Sequence, residues 1–202
     1  MNRRTWLVFY LFFTFDMRVR AQTQLQFPEQ EDLLQAPENC WQQTHLCAAQ
    51  TRVGNRKTLQ FDKAEIVIGG DTLIERTSDH AVRLLRGTIW VKPKGFTFQV
   101  ESEFGSVSSE REYWAFREPR KLRVLATRFP LSIVPRGSNE VLTVLPGTEN
   151  WLGPVGNTGV ASSGVPYPYD LSTLLVHWAE LYSGKRHLFR SQVSEVKDFW
   201  KK

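Results

Sequence analysis

Two cysteines, four histidines and two methionines are all that this 202-residue chain holds of those residue types. The scarcity narrows its chemistry. No HExxH, HxH or Cys/His set occurs among His45, His80, His177 and His187, so no metal site is recognisable. There is no GxSxG elbow and no P-loop, and Gly69-Gly70 reads as a turn rather than a dinucleotide fingerprint. No cofactor is expected. Long hydrophobic runs are missing too: the apolar stretch Trp6 to Phe15 is about half the roughly 20 residues that span a bilayer. The excess of positive charge that a nucleic-acid surface needs is also lacking once the N-terminus is set aside. Removing Arg3, Arg4, Arg18, Arg20 and Asp16 from 26 basic and 21 acidic residues leaves 22 and 20, a net of +2. That balance argues against a phosphate-binding surface.

Setting the N-terminus aside follows from its pattern. Arg3 and Arg4 precede the apolar run, and Val19-Arg20-Ala21 offers a cleavage site after Ala21. Residues 1–21 therefore read as a secretory signal peptide, with a retained anchor as the minor alternative. The remainder is expected to be periplasmic or secreted, with no stable membrane span after cleavage. In an exported chain, Cys40 and Cys47 in "CWQQTHLC" are expected to form a disulfide. Closing so short a loop contributes roughly 2.5 kcal/mol in the chain-entropy model. A metal at that loop would need more ligands than His45 supplies.

What the chain does have is aromatic residues (12%, including seven Trp) and many short apolar runs. Residues 22–55 read as an extended arm carrying the cysteine loop. From 56 to 156, strand-like runs recur: Ala64–Ile68, Thr72–Glu75, Ala81–Leu85, Thr88–Val91, Phe96–Val100 and Glu112–Arg117. Lys121–Ala126, Leu131–Val134, Val141–Leu145 and Glu149–Leu152 continue them, with glycines and prolines at the breaks. Short strands at roughly 8–12-residue spacing indicate an all-β architecture rather than βαβ units. Residues 157–169, within the Gly/Pro/Ser-rich "GPVGNTGVASSGVPYPY", read as a linker. Over 170–202, Asp170 is placed to cap a helix bearing Leu171, Leu174, Leu175, Trp178 and Leu181 on one face. A second helix over 185–200 carries Leu188, Val193, Val196 and Trp200. Both stripes are expected to pack on the β-domain, with partner binding as the alternative.

Several of these runs resemble the FecR domain. Leu59, Ala64 to Ile68, Gly69 to Asp71 and Leu73-Ile74-Glu75 are similar to that family's opening. "VRLLRGTIWV" (82–91) resembles its recurring strand, Arg-Gly, strand segment, and "FTFQVESEFGSV" the strand after it. "LRVLATRFPLSI" (122–133) is similar to the strand that usually carries Gly-Thr-x-Phe, with Ala126 where glycine is usual, and "VLTVLPG" (141–147) to the closing strand and turn. Residues 108–120 then read as an insertion; in a second alignment Trp114 and Phe116 occupy the x-Phe strand. The resemblance implies a mainly β, solenoid-like or twisted double-layer fold of short strands, here with a two-helix C-terminal tail. In sensor regulators of this family a sigma-factor-contacting segment and a transmembrane helix precede the domain. A signal leading directly into the exported part is expected to leave transmembrane signalling out.

Candidate chemistry is thin. Glu101 and Glu103 share a strand face by period two, like a carboxylate pair for glycoside chemistry, but a solvated polar edge is the better reading. Trp90 and Trp114 are expected in the core. Tyr167 and Tyr169, flanked by Pro166 and Pro168, and Trp178 on the helix are the candidates for partner contact. The expectation is a non-enzymatic, exported bacterial envelope protein that binds an envelope protein. A carbohydrate- or peptidoglycan-binding module using exposed aromatics, with cell-wall glycan as partner, is the alternative.

Overall fold

A computed structural model of the chain describes residues 48–156, 160–182 and 185–200, all within the compact unit Leu34–Lys202. The signal segment, most of the arm, Cys40 and Cys47 lie outside the described residues. Fourteen strands form one continuous sheet. They are β1 (Ala48–Gln50), β2 (Lys57–Gln60), β3 (Ala64–Ile68), β4 (Leu73–Ser78), β5 (Ala81–Pro93), β6 (Phe98–Ser102) and β7 (Gly105–Ser109). Then come β8 (Tyr113–Glu118), β9 (Lys121–Ala126), β10 (Leu131–Pro135), β11 (Leu142–Val144), β12 (Thr148–Pro154), β13 (Ala161–Ser163) and β14 (Tyr167–Pro168). Helices α1 (Leu171–Leu181) and α2 (Arg186–Trp200) follow. The fold is thus mainly β, with the sheet curled into a twisted double layer and two C-terminal helices.

The curl happens inside one strand. Ala81–Leu85 and Thr88–Val91, expected as separate runs, are the two halves of β5. The first half pairs with β4 and β6, the second with β3 and β8. A first layer (β1, β4, β6, β7, β10, β11) and a second layer (β2, β3, β8, β9, β12, β13, β14) therefore share β5. All pairings are antiparallel except β5 with β6, which runs parallel from Ala81↔Gln99 to Arg83↔Glu101. A parallel pair needs a crossover of about a dozen residues. Here the second half of β5 and the turn after it serve as that crossover, so no helix is required.

Gly87 makes the bend. Its φ of +89° is one that side chains with a Cβ rarely adopt, and a Cβ there would lie 2.3 Å from Thr72 Oγ1 and 2.8 Å from the Asp71 carbonyl. Buried Thr72 Oγ1 accepts from the Thr88 N–H (3.0 Å) and donates to the Thr88 carbonyl (3.2 Å). The Thr72 N–H donates to Thr51 Oγ1 (3.0 Å), whose hydroxyl donates to the Gly69 carbonyl. Arg86 pairs with Asp71 at 3.1 Å. The Gly-Gly-Asp-Thr turn and the Arg-Gly-Thr bend thereby form one interlocked element with its buried polar groups satisfied.

Period-two alternation in the second layer feeds two cores. Ile66, Ile68, Ile89, Val91, Tyr113, Ala115, Leu122 and Val124 point to the first layer, meeting Val82, Leu84, Phe98, Val100, Val107 and Ile133. Their alternates Val67, Trp90, Trp114, Phe116 and Leu125 face Leu174, Trp178 and Leu181 of α1 and Val196 of α2. Trp90 stacks on Trp114 (5.2 Å, 13°) and meets Trp178 edge-on (5.8 Å, 77°). The helical stripes do pack on the β-domain. Among the described side chains of the stripes, Leu188 departs from its expected place and is exposed, and the side chain of Trp200 lies outside the described residues.

Three expectations need correction. Residues 108–120 are no insertion: they contain β8, which stands between β5 and β9 at the centre of the sheet. The described part of the expected linker 157–169, residues 160–169, is not free, because β13 and β14 both pair with β12. A Cβ on Gly164 would sit 2.2 Å from Trp151 Nε1, and that close approach lets the segment lie against the indole. Phe96, expected in β6, is exposed in the preceding turn with Lys63 Nζ 5.2 Å from its ring.

Gly87→Ala should destabilise the protein by about 3 kcal/mol in urea unfolding, combining a left-handed backbone penalty with a clash. Gly95→Ala, at φ +82° with nothing within 4 Å of the added Cβ, should cost only about 1–2 kcal/mol. Equal losses would show that the interlock adds nothing.

Candidate binding surface

Among the described residues no group of three or more His, Cys, Asp or Glu side chains could hold a metal. The suspected carboxylate pair is not brought together: Glu103 pairs with Arg117, whose guanidinium lies 4.6 Å from the Phe104 ring, while the sheet register sets Glu101 beside Arg83. His177 tilts against Phe116 (5.2 Å) with its Nδ1 3.7 Å from Glu180.

The most heavily charged knot below the helices is built around Arg123. Its guanidinium lies 4.3 Å from the Phe116 ring and 5.9 Å from Tyr169, 3.3 Å from the Glu149 carboxylate and 3.2 Å from Glu118. Burial raises the Glu149 carboxyl against the opposing pull of Arg123, and burial pushes the Tyr169 hydroxyl up to about 12. A carboxylate already held by an arginine, with a phenol that stays protonated, ties β9, β12 and the incoming chain together. It offers no free acid–base pair.

The expected contact residues divide. Tyr167 is 43% exposed, but Tyr169 and Trp178 are only 6% and 4% exposed. Tyr169 sits against Arg123, and Trp178 fills the second core between Trp90 and Phe189 (5.8 Å to each ring). Neither side chain is offered to a partner. Hydrophobic residues beside proline looked hard to bury, yet pairing of β14 with β12 and the Asp170 cap carry Tyr169 inward.

With the helices over the second layer, no described residue covers the outer face of the first layer. That face is largely polar. Register lines up Gln99, Ser108, Ser132 and Thr143 in one row across β6, β7, β10 and β11. A second row runs Glu75, Arg83, Glu101 and Ser106. At the end where β7 stops and β10 begins lies an open groove of about 420 Å³, with Ser108, Ser109, Ser132 and Thr143 among its lining residues and Thr97, Glu110, Arg111 and Phe129 beside them. Phe129, 36% exposed, has the Arg111 and Arg128 guanidinium carbons 5.2 and 5.9 Å from its ring centroid. Glu112 (2.7 Å) and Glu195 (3.2 Å) hold Arg128. Arg111 makes no ion pair among the described residues, so its fork is free to meet a carboxylate. The arrangement suits binding through hydroxyls, one guanidinium and one aromatic face. Sequence reasoning missed Phe129, Arg111 and the hydroxyl rows because short polar side chains on alternate strand positions look like any solvated face.

No family model matches the chain, and no curated protein matches it. Among solved structures, two crystal structures of a "putative anti-sigma factor" from Parabacteroides distasonis ATCC 8503 are similar at 14% identity and a TM-score of 0.48. Each alignment covers 69% of this chain and 76% of the other. At that distance the likeness carries no argument about what this chain does.

Acid should loosen α1. Hydrogen bonds from Ser172 and Thr173 hold the Asp170 carboxyl at about 2, below its ordinary 3.8. A depressed carboxyl pKa gives stability that is present above pH 3.8 and lost as pH falls through about 2. Far-ultraviolet circular dichroism should show helix loss over that window in the wild type. Asp170→Asn, which caps without titrating, should lose less over the same window. Parallel titration curves for the two proteins would refute the cap's role.

Proposed function

We propose that the chain is a non-enzymatic, FecR-like module of the bacterial envelope, exported by its N-terminal signal, which recognises a protein partner across the uncovered face of its first layer. One observation carries the reading: the second layer is buried on both sides, by the main core and by the helices, whereas the first layer is buried on one side only. A sheet face left open and mixed in polarity supports recognition over bond-making. The motifs behind the FecR resemblance support the same view. "GGDT" and "RGT" meet in the interlock at Gly87, where their roles are turn geometry and hydrogen bonding. No helix among the described residues is long and apolar enough to cross a membrane.

The glycan alternative draws on the groove, with its hydroxyls and Phe129. Of the aromatic set it called on, Trp90, Trp114, Phe116 and Tyr169 are buried, Trp151 is half-buried and Tyr167 is exposed.

A photo-crosslinking amino acid at Ser106, on the uncovered face, and another at Val176, on the exposed side of α1, test the proposal. In an envelope fraction the Ser106 probe should yield a discrete protein adduct and the Val176 probe should not. Protein adducts from Val176 alone, or retention of the chain by murein with no protein adduct from Ser106, would overturn it.

A further inference from the structure

Strand β11 closes one end of the sheet, and among the described residues no strand pairs with its outer edge. Two other strands with an open edge, β2 and β14, are blunted in the usual ways. β2 opens on Lys57, next to Arg56, and exposes all but Leu59; β14 is two residues long and contains Pro168. β11 is itself only three residues long, and the apolar run around it lies between Glu140 and Pro146. From Val141 to Leu145 the chain reads Val-Leu-Thr-Val-Leu, with no charge. Val144 is buried and Leu142 packs against the main core, whereas Val141 and Leu145 are 62% and 61% exposed. Two bulky aliphatic side chains thus stand in water on either side of Thr143, beside an open backbone edge.

The pattern is also symmetric about Thr143. Run antiparallel to itself, it sets Val141 opposite the partner's Leu145, Leu142 opposite the partner's Val144, and Thr143 opposite its own copy. Every apolar position meets an apolar one, and the single polar residue falls on the axis. We propose that two copies of this chain join through β11, adding strand to strand across a two-fold axis at Thr143, so that the first layers of both continue as one sheet. Such an interface is isologous, and because it uses the β11 edge of each chain it closes at the dimer. Cross-strand neighbours in this arrangement have Cβ atoms about 4.5–5.5 Å apart, close enough to cover Val141 and Leu145 and to seal the half-open side of Leu142. Thr143 also lines the groove, so the grooves of the two copies meet at the axis. The dimer uses the backbone edge of β11 rather than the face of the layer, although Thr143 belongs to both the edge and the face's polar row.

Sedimentation equilibrium of the full chain should give a concentration-dependent mass approaching twice the 23.4 kDa of one chain. Thr143→Lys, which sets like charges opposite each other at an exposed position, should weaken association by about tenfold or more while leaving the circular dichroism spectrum unchanged. Register is read by disulfide trapping, with the unsubstituted chain as the control for Cys40 and Cys47. Thr143→Cys should cross-link to itself. Val141→Cys should not, but should cross-link when mixed with Leu145→Cys. A chain that stays monomeric at its highest soluble concentration would overturn the proposal. So would self-linking by Val141→Cys as readily as by Thr143→Cys, or a dimer untouched by Thr143→Lys.

Discussion

The hydroxyl of Thr72, held against the Thr88 backbone where β5 turns at Gly87, is the contact on which the architecture depends. A strand of thirteen residues would ordinarily stay in one layer. Here the positive φ of Gly87 lets it leave the first layer and enter the second, and the buried Thr72 hydroxyl satisfies the backbone groups that the bend exposes. Both layers hang on the two halves of that strand. The parallel pairing of β5 with β6 follows from the same bend, since the chain must cross to the second layer and return before β6 can lie beside β5. A substitution there would disturb every strand neighbouring β5 at once.

From the curl follows the unequal treatment of the two layers. The second is apolar on both faces, with Trp90, Trp114 and Phe116 alternating against Ile89, Val91, Tyr113 and Ala115. Such a layer demands a cover, and α1 and α2 supply it through Trp178, Leu174, Leu181 and Val196. The first layer alternates apolar with short polar residues and needs none. The polar rows, the groove beside Phe129 and the edge of β11 therefore adjoin on the first layer. The Arg123 knot, rich as it is in titratable groups, is committed to holding β9, β12 and Tyr169 together.

Local patterns in the chain were enough for much of this. Period two identified most of the strands, Ala64–Ile68 and Lys121–Ala126 to the residue, and helical spacing after Asp170 located both helices. Burial of Trp90 and Trp114 was likewise legible, because bulky aromatics on alternating strands have few other places to go. What failed were readings that treated each stretch alone. Gly87 looked like a break between two strands, since glycine punctuates turns; its use as a bend within one strand depends on Thr72, fifteen residues away. The stretch 160–169 looked unpaired because its glycines, prolines and serines show no burial pattern, yet β13 and β14 fold back on β12, which comes just before them. Tyr169 looked exposed beside proline, and Arg123 draws it in.

By itself, then, the sequence determined the local currency of the fold: which residues alternate and where helices start. Tertiary structure alone decided which face of each strand meets water. That choice rests on how the curled sheet pairs strands remote in sequence and on which layer the helices cover. A row such as Gln99, Ser108, Ser132 and Thr143 exists only after four separate strands have found their register.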